Sequence, residues 1–252
     1  MDTEIPTKDI FMKLMKKFGF AFLFTFLALT ANEIILLVMS LNSLNWTLSQ
    51  IIISFLYKIP YVIVMSTPLA VCVGFVIGFF NLNIYKKYLQ NRRNIIPVIY
   101  SGIIIALFTY IIRDFIMPIT VKNLRDLLST ISLNNVRTVT TSELNSIQLL
   151  RVIREASVEE KPRYILELSI KYVLPLGVLI SSIFAFYISV IFDRRKKTAL
   201  YICIFSSILY WLIYVYGGNI SFIIMWIPNI MFLLISLIMI YINFKKKSQI
   251  MV

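Results

Sequence analysis

The chain has 252 residues, of which 59% are hydrophobic and 15% are charged, and its formal net charge is +13. Soluble domains contain about 45–50% apolar residues, so this composition excludes an ordinary soluble domain. Apolar runs of about 20 residues recur, and each is long enough to cross roughly 30 Å of hydrocarbon as a helix. The runs are continuous rather than alternating, which excludes the strands of a membrane barrel. The sequence therefore predicts an all-α integral membrane protein.

Catalytic and metal-binding functions have little support in the composition. The chain contains no histidine, which removes the commonest general base and metal ligand. It has no glycine-rich phosphate-binding loop that ends in Lys-Ser or Lys-Thr. Cys72 and Cys203 lie inside apolar runs, where cysteine acts as a small packing residue. We therefore expect a protein that is not an enzyme and holds no metal or cofactor of its own.

The apolar runs define six spans. An amphipathic segment, 1–17, is predicted to form an interfacial helix before the first span. Segment 48–58 is expected to follow the outer interface until Pro60 redirects the chain. The predicted spans are 18–41, 59–80, 95–117, 169–192, 198–216 and 225–243.

The basic residues indicate the orientation of these spans. Most of the 25 lysine and arginine residues lie in four short segments, and such residues mark cytoplasmic loops. Both termini are therefore predicted to be cytoplasmic. The four segments are 1–17, 81–94, 193–197 and 244–252.

Three parts of the chain follow from this topology. The first, 1–117, contains the interfacial helix, spans one to three and the loop 81–94. The second, 118–168, is a short periplasmic segment that is predicted to be mostly helical, with helices near 123–132 and 141–156. In the second of these helices, Thr141 or Ser142 is the expected cap, and the predicted apolar face consists of Leu144, Ile147 and Leu150. The third part, 169–252, contains spans four to six and a cytoplasmic tail.

The second span has small residues at every fourth position. This spacing places them on one face of a helix, where another helix can approach closely. A substrate groove along the same face is the alternative. The four residues are Ser66, Ala70, Gly74 and Gly78.

Two pairs of polar residues lie inside predicted spans. An ionisable residue within a span indicates a functional site by default. For Arg113 and Asp114, near the outer end of the third span, the sequence favours side chains that reach the interface. Asn32 and Glu33 lie deeper in the first span, and two interpretations of Glu33 stay open: a polar site that faces a cavity, or an interhelical hydrogen bond.

The loop 81–94 contains an amphipathic pattern. Ile84 and Tyr88 are four residues apart, as are Tyr85 and Leu89, so these side chains share one helical face. The basic residues Arg92 and Arg93 follow. The pattern allows a docking helix for a cytoplasmic partner or an ordinary interfacial loop.

Several short motifs, taken in order, resemble the LptF/LptG permease family, the membrane subunits of the ABC exporter that extracts lipopolysaccharide from the inner membrane. Trp226-Ile-Pro228-Asn229 is similar to the family's W-x-P-N motif at the start of the last span. Pro175, in Lys171-Tyr-Val-Leu-Pro-Leu, matches a proline early in the fourth span. Loop 81–94 lies where the family has its ATPase-coupling helix.

The resemblance implies a subunit of the bacterial inner membrane. Its expected partners are a cytoplasmic LptB-like ATPase dimer, which binds ATP and Mg, a second LptF/LptG-like permease that carries a jellyroll, periplasmic bridge proteins reached through that permease, and a membrane lipid as substrate. Coupling is assigned to Ile84, Tyr85, Tyr88, Leu89, Arg92 and Arg93. The substrate cavity and lateral gate are assigned to Asn32, Glu33, Tyr201, Phe205, Tyr210, Trp211 and Tyr214.

The chain departs from the family in three places. A periplasmic jellyroll of eight strands needs at least roughly 60–70 residues, and 118–168 is shorter than that. The family's coupling helix carries a glutamate, but no acid occurs in 81–94. The first span has Glu33 instead of the family's outer lysine. The alternative functions are a non-transporting membrane scaffold and an intramembrane lipid-modifying enzyme, although the sequence lacks a catalytic set for the latter.

Overall fold

The computed structural model describes six ranges of the chain: 7–41, 48–80, 95–131, 141–192, 195–217 and 222–250. Within these ranges the regular elements are all helices, which confirms the predicted all-α fold. The helices longer than one turn are α1 (Thr7–Leu41), α2 (Leu48–Phe80), α3 (Ile96–Ile111), α4 (Met117–Ile131), α5 (Ser146–Glu155), α6 (Lys161–Ile191), α7 (Lys196–Gly217) and α8 (Phe222–Ile250). A π-helical turn, Ile112–Ile116, joins α3 to α4.

Six stretches of the described helices are long and apolar enough to cross a membrane, as the sequence predicted. They are Lys8–Ile35, Leu48–Phe80, Ile96–Asp126, Lys161–Ile191, Lys196–Tyr214 and Ile223–Ile242.

Two of these helices begin earlier than predicted. Residues 48–58 are the first turns of α2, so the prediction that Pro60 redirects the chain after a separate interfacial segment is wrong. A spanning helix tolerates a proline because neighbouring helices and local adjustments satisfy the freed backbone groups. The fourth span lies in α6, which begins at Lys161 with a proline in its first turn, where the missing N–H has no cost.

The helices α2 and α6 form the centre of the bundle. Most of the apolar stretch of α2 is buried within the chain, and so is most of that of α6, whereas almost none of α1 is. Helix α2 packs against α1, α6 and α7, and α6 packs against α3, α5 and α8. The outward sides of α1 and α7 are covered by large apolar side chains, as expected for surfaces that face lipid or another subunit.

The small-residue face of α2 lies against α1. A Cβ atom at Gly74 would be 2.8 Å from Phe18 Cα and 2.9 Å from the Lys17 carbonyl oxygen, and Leu14 packs over Gly78. The contacts at Gly74 involve backbone atoms that cannot rotate away. The residues before the first span thus belong to the same continuous helix as the span itself, and their apolar face, which includes Ile10 and Leu14, is buried.

Replacing Gly74 with alanine should therefore separate α1 from α2. Overpacking of this kind typically costs about 1–3 kcal/mol. Unfolding in mixed micelles with increasing dodecyl sulfate, followed by circular dichroism, measures the effect. The matched control is Gly19→Ala, because a Cβ at Gly19 meets nothing within 4 Å. Equal stability of the two variants would contradict the close contact.

Candidate functional site

A buried carboxylate organises one end of the bundle. Asp114 Oδ1 accepts hydrogen bonds from the Ser146 backbone N–H and hydroxyl, both at 2.7 Å, and lies 3.3 Å from Lys171 Nζ. The Tyr110 hydroxyl donates to Oδ2 at 3.2 Å. Both members of the Asp114–Lys171 ion pair are buried. The prediction that the Asp114 side chain extends outward to the interface is therefore wrong, because it is buried and paired with Lys171 inside the bundle.

The π-helical turn explains how Asp114 reaches this position. A π-helical turn changes the register of the side chains that follow it, and such turns are frequent at functional sites. Asp114 lies in this turn and is buried, while the next two residues, Phe115 and Ile116, are exposed. Arg113 is partly buried, and its Nη1 lies 3.1 Å from Met117 Sδ.

Asp114 also determines where α5 begins. The prediction placed the cap at Thr141 or Ser142, but the N-cap is Asn145, which forms a capping box with Gln148, while 141–143 form a 3-10 turn. Leu149 is the buried apolar residue of this helix, not Ile147 or Leu150. The sequence did not distinguish these starts, because serine and asparagine are similarly favoured as N-cap residues.

A second ion pair lies at the same end of the bundle. Lys58 Nζ of α2 donates to Glu33 Oε2 of α1 at 2.9 Å, and both side chains are partly exposed. Of the two interpretations left open for Glu33, this contact agrees with the interhelical one. The neighbouring Asn32 is exposed.

These charges lie at one level. At ~1.5 Å rise per residue, Lys58, Asp114 and Lys171 are each about 27–33 Å from the far ends of their helices, at Phe80, Ile96 and Ile191. That separation equals the thickness of a hydrocarbon core. We call Glu33, Lys58, Asp114, Ser146 and Lys171 the polar layer.

The family-motif residues of α6 and α8 meet in a second buried polar contact. Asn229 Nδ2 donates to the Val173 carbonyl oxygen at 2.8 Å, two residues before Pro175. The Tyr210 hydroxyl lies 3.5 Å from the same oxygen. A Cβ atom at Gly177 would overlap the Tyr210 hydroxyl and lie 2.9 Å from Asn229 Oδ1. We call this contact between α6, α7 and α8 the Asn229 junction.

The other two motif residues lie close by on α8. Pro228 is buried, and Trp226 packs against the hydrophobic core.

The residues assigned to the lateral gate on α7 differ in exposure. Tyr201 and Phe205 are 67% and 69% exposed on α7. Tyr210 and Tyr214 are buried, and Trp211 is partly buried. The exposed pair is free to meet a partner or a lipid, whereas Tyr210 holds α7 against α6. The gate itself stays a prediction.

The assigned coupling residues lie outside the described residues. These are Ile84, Tyr85, Tyr88, Leu89, Arg92 and Arg93. At the last described residue before them, the Phe80 carbonyl oxygen accepts a hydrogen bond from Lys196 Nζ at 3.1 Å, which joins the end of α2 to the start of α7.

The fold and its buried polar contacts define an integral membrane protein with six candidate spans. A family model described as "Lipopolysaccharide export system permease LptF/LptG" matches residues 132–242, which contain α5, α6, α7 and most of α8. This match lies in the second half of the chain and supports the resemblance to the LptF/LptG permease family that the motifs predicted. Lys171 and the Asn229 junction lie within the matched residues, and Asp114 lies before them. No curated protein matches the chain.

Removing one member of the buried ion pair should be costly. Lys171→Met leaves Asp114 buried without its counter-ion, and such a change typically costs about 3–5 kcal/mol. The double variant Lys171→Met/Asp114→Asn should recover much of this loss in the same unfolding measurement. The control is Lys58→Met, which breaks the more exposed pair and should cost about 1 kcal/mol or less. Equal losses of stability in the two single variants would contradict the greater burial of the Asp114–Lys171 pair.

The Asn229 junction can be tested with a second pair of variants. Gly177→Ala places a methyl group against the Tyr210 hydroxyl, so we expect a lower unfolding midpoint. Tyr210→Phe removes that hydroxyl and its long hydrogen bond to the Val173 carbonyl oxygen, a contact worth about 0.5–1.5 kcal/mol. The double variant should then be more stable than Gly177→Ala alone. Additive losses would mean that the two residues are not in contact.

Proposed function

We propose that the chain is one permease subunit of an ABC exporter that extracts lipopolysaccharide or a related lipid from the outer leaflet of the inner membrane. A separate cytoplasmic ATPase supplies the energy, and both termini of this chain face that ATPase. The observation that carries the proposal is the family match over 132–242, because the family is that of the permease subunits of lipopolysaccharide export. In this proposal ATP and Mg bind to the partner ATPase and not to this chain.

Coupling passes through loop 81–94 in this proposal. The ATPase closes on ATP and pushes on the loop, which tilts α2 and α3 against α1 and α7. Coupling of two sites needs an element whose states both sites bias. The packing of α2 supports its role as that element, since α2 contacts α1, α6 and α7 and approaches the α1 backbone at Gly74.

The lipid enters between α7 of this chain and the first span of a second permease subunit. The exposure of Tyr201 and Phe205 supports this assignment, because both point away from the bundle. The second subunit carries a jellyroll and connects to the periplasmic bridge proteins. Residues 132–160, between α4 and α6, are too few for an eight-stranded jellyroll in this chain.

The proposal is tested first by gentle affinity purification of this chain from its own membranes. A Walker ATPase and a second permease with a jellyroll should co-purify. Recovery of the chain without an ATPase in several detergents would contradict the exporter and favour the alternative of a membrane scaffold.

The coupling loop is tested in the purified complex reconstituted into vesicles. Tyr85→Ala/Tyr88→Ala should abolish ATP-driven lipid release, because the apolar docking face is lost, while the permease remains folded. Tyr201→Ala is a control for loss of an exposed tyrosine outside the loop, and it should leave the amount of ATPase that co-purifies unchanged. Undiminished lipid release by the double variant would overturn the docking assignment.

A further inference from the structure

Helix α5 has two faces of different character. Its packed face includes Ser146 and Leu149, both buried against the bundle. Away from this packed face the helix is exposed, with Gln148 and Glu155 at one edge. The four other exposed side chains fall within about a third of the helix circumference at 3.6 residues per turn. In angular order they are Leu150, Arg154, Ile147 and Arg151.

The exposed face is both apolar and basic. Ile147 is 60% exposed and Leu150 is 46% exposed, although both are large apolar residues. The two arginines alternate with them around the helix. An arginine can lay its aliphatic stem along an apolar surface while its guanidinium reaches a polar phase. A face of this composition is typical of a helix that lies in a membrane interface.

The position of α5 agrees with an interfacial location. Its first residue, Ser146, is bound to Asp114 in the polar layer, which lies one hydrocarbon thickness from the far end of the bundle. Phe115 and Ile116, next to Asp114 in sequence, are exposed apolar residues at the same level. The exposed face of α5 therefore begins at the level of the polar layer, beside exposed apolar residues of the third span.

We propose that α5 docks on the surface of the membrane leaflet at the polar layer. Ile147 and Leu150 enter the boundary between headgroups and acyl chains, and Arg151 and Arg154 bind lipid phosphates. Phospholipid, rather than protein, is the occupant because the charged residues that alternate with Ile147 and Leu150 are both arginines, which complement anionic headgroups, and the helix starts at the level of the polar layer. This inference does not depend on the proposed transport function.

Site-directed spin labelling of the full chain tests the proposal. Cys72 and Cys203, both buried, are first replaced by alanine, and single cysteines are then introduced at Ile147, Leu150 and Glu155. Glu155 is the matched control, because it is exposed on the same helix at the edge of this face. Each labelled protein is reconstituted into vesicles of phosphatidylethanolamine and phosphatidylglycerol. The collision rates of the label with oxygen and with a water-soluble nickel chelate are measured on both sides of the membrane.

We expect labels at Ile147 and Leu150 to collide more with oxygen than with the nickel chelate, and the label at Glu155 to show the reverse. Nickel accessibility at Ile147 and Leu150 equal to that at Glu155 would overturn the proposal, since the face would then be in water. Low accessibility to both reagents at Ile147 and Leu150 would also overturn it, since a protein surface would then cover them.

The arginines are tested separately. With the label at Ile147, Arg151→Glu/Arg154→Glu should raise the nickel collision rate at least severalfold, and lysine at both positions should restore the original rate. Arg163→Glu, an exposed charge outside α5, should have no effect. An unchanged rate in the Arg151/Arg154 variant would overturn the phosphate contact.

Discussion

The Asp114–Lys171 ion pair is the constraint on which this end of the molecule depends. Burying either charge alone would cost several kcal/mol, and mutual attraction offsets this only when further hydrogen bonds satisfy the remaining lone pairs. Asp114 meets that condition through Ser146 and Tyr110. The same carboxylate thus fixes α3 to α6 and sets the residue at which α5 begins. The distance from this pair to the opposite helix ends then matches the hydrocarbon thickness.

Elsewhere in the bundle, glycines allow the helices to pack closely. Lipid tails are as apolar as leucine, so helices in a membrane associate through close packing and polar contacts rather than through the hydrophobic effect. Gly74 lets α2 meet the backbone of α1, and Gly177 lets α6 accept Tyr210 and Asn229. Gly74 lies on α2 and Gly177 on α6, the two central helices. The outer helices therefore pack where these central helices lack a side chain.

The sequence predicted the spans, the helical class and the family, because long apolar runs and short ordered motifs are local signals. The spacing of Ser66, Ala70, Gly74 and Gly78 also pointed to a packed face, which α1 contacts at Gly74 and Gly78. The burial of Asp114 could not be predicted from the sequence, because it depends on a π-helical turn and on Lys171, which is distant in sequence. Tyr210 and Tyr201 looked alike in the sequence of α7, yet only the fold decides which one is buried. The start of α5 was missed because Ser142 and Asn145 are equally good caps.

One turn of α6 contains the polar groups that position most of its neighbours. Lys171 binds Asp114 in the π-helical turn that follows α3, and through that carboxylate the start of α5. Two residues later, the carbonyl oxygen of Val173 accepts the hydrogen bond from Asn229 of α8 and lies beside the hydroxyl of Tyr210 of α7. A tilt of α3 against α6 must therefore break the ion pair or move α6 with it. If α6 moves, α7 and α8 must follow or lose their contacts to Val173. Motion of α3 is in this way tied to the helix that bears Tyr201 and Phe205.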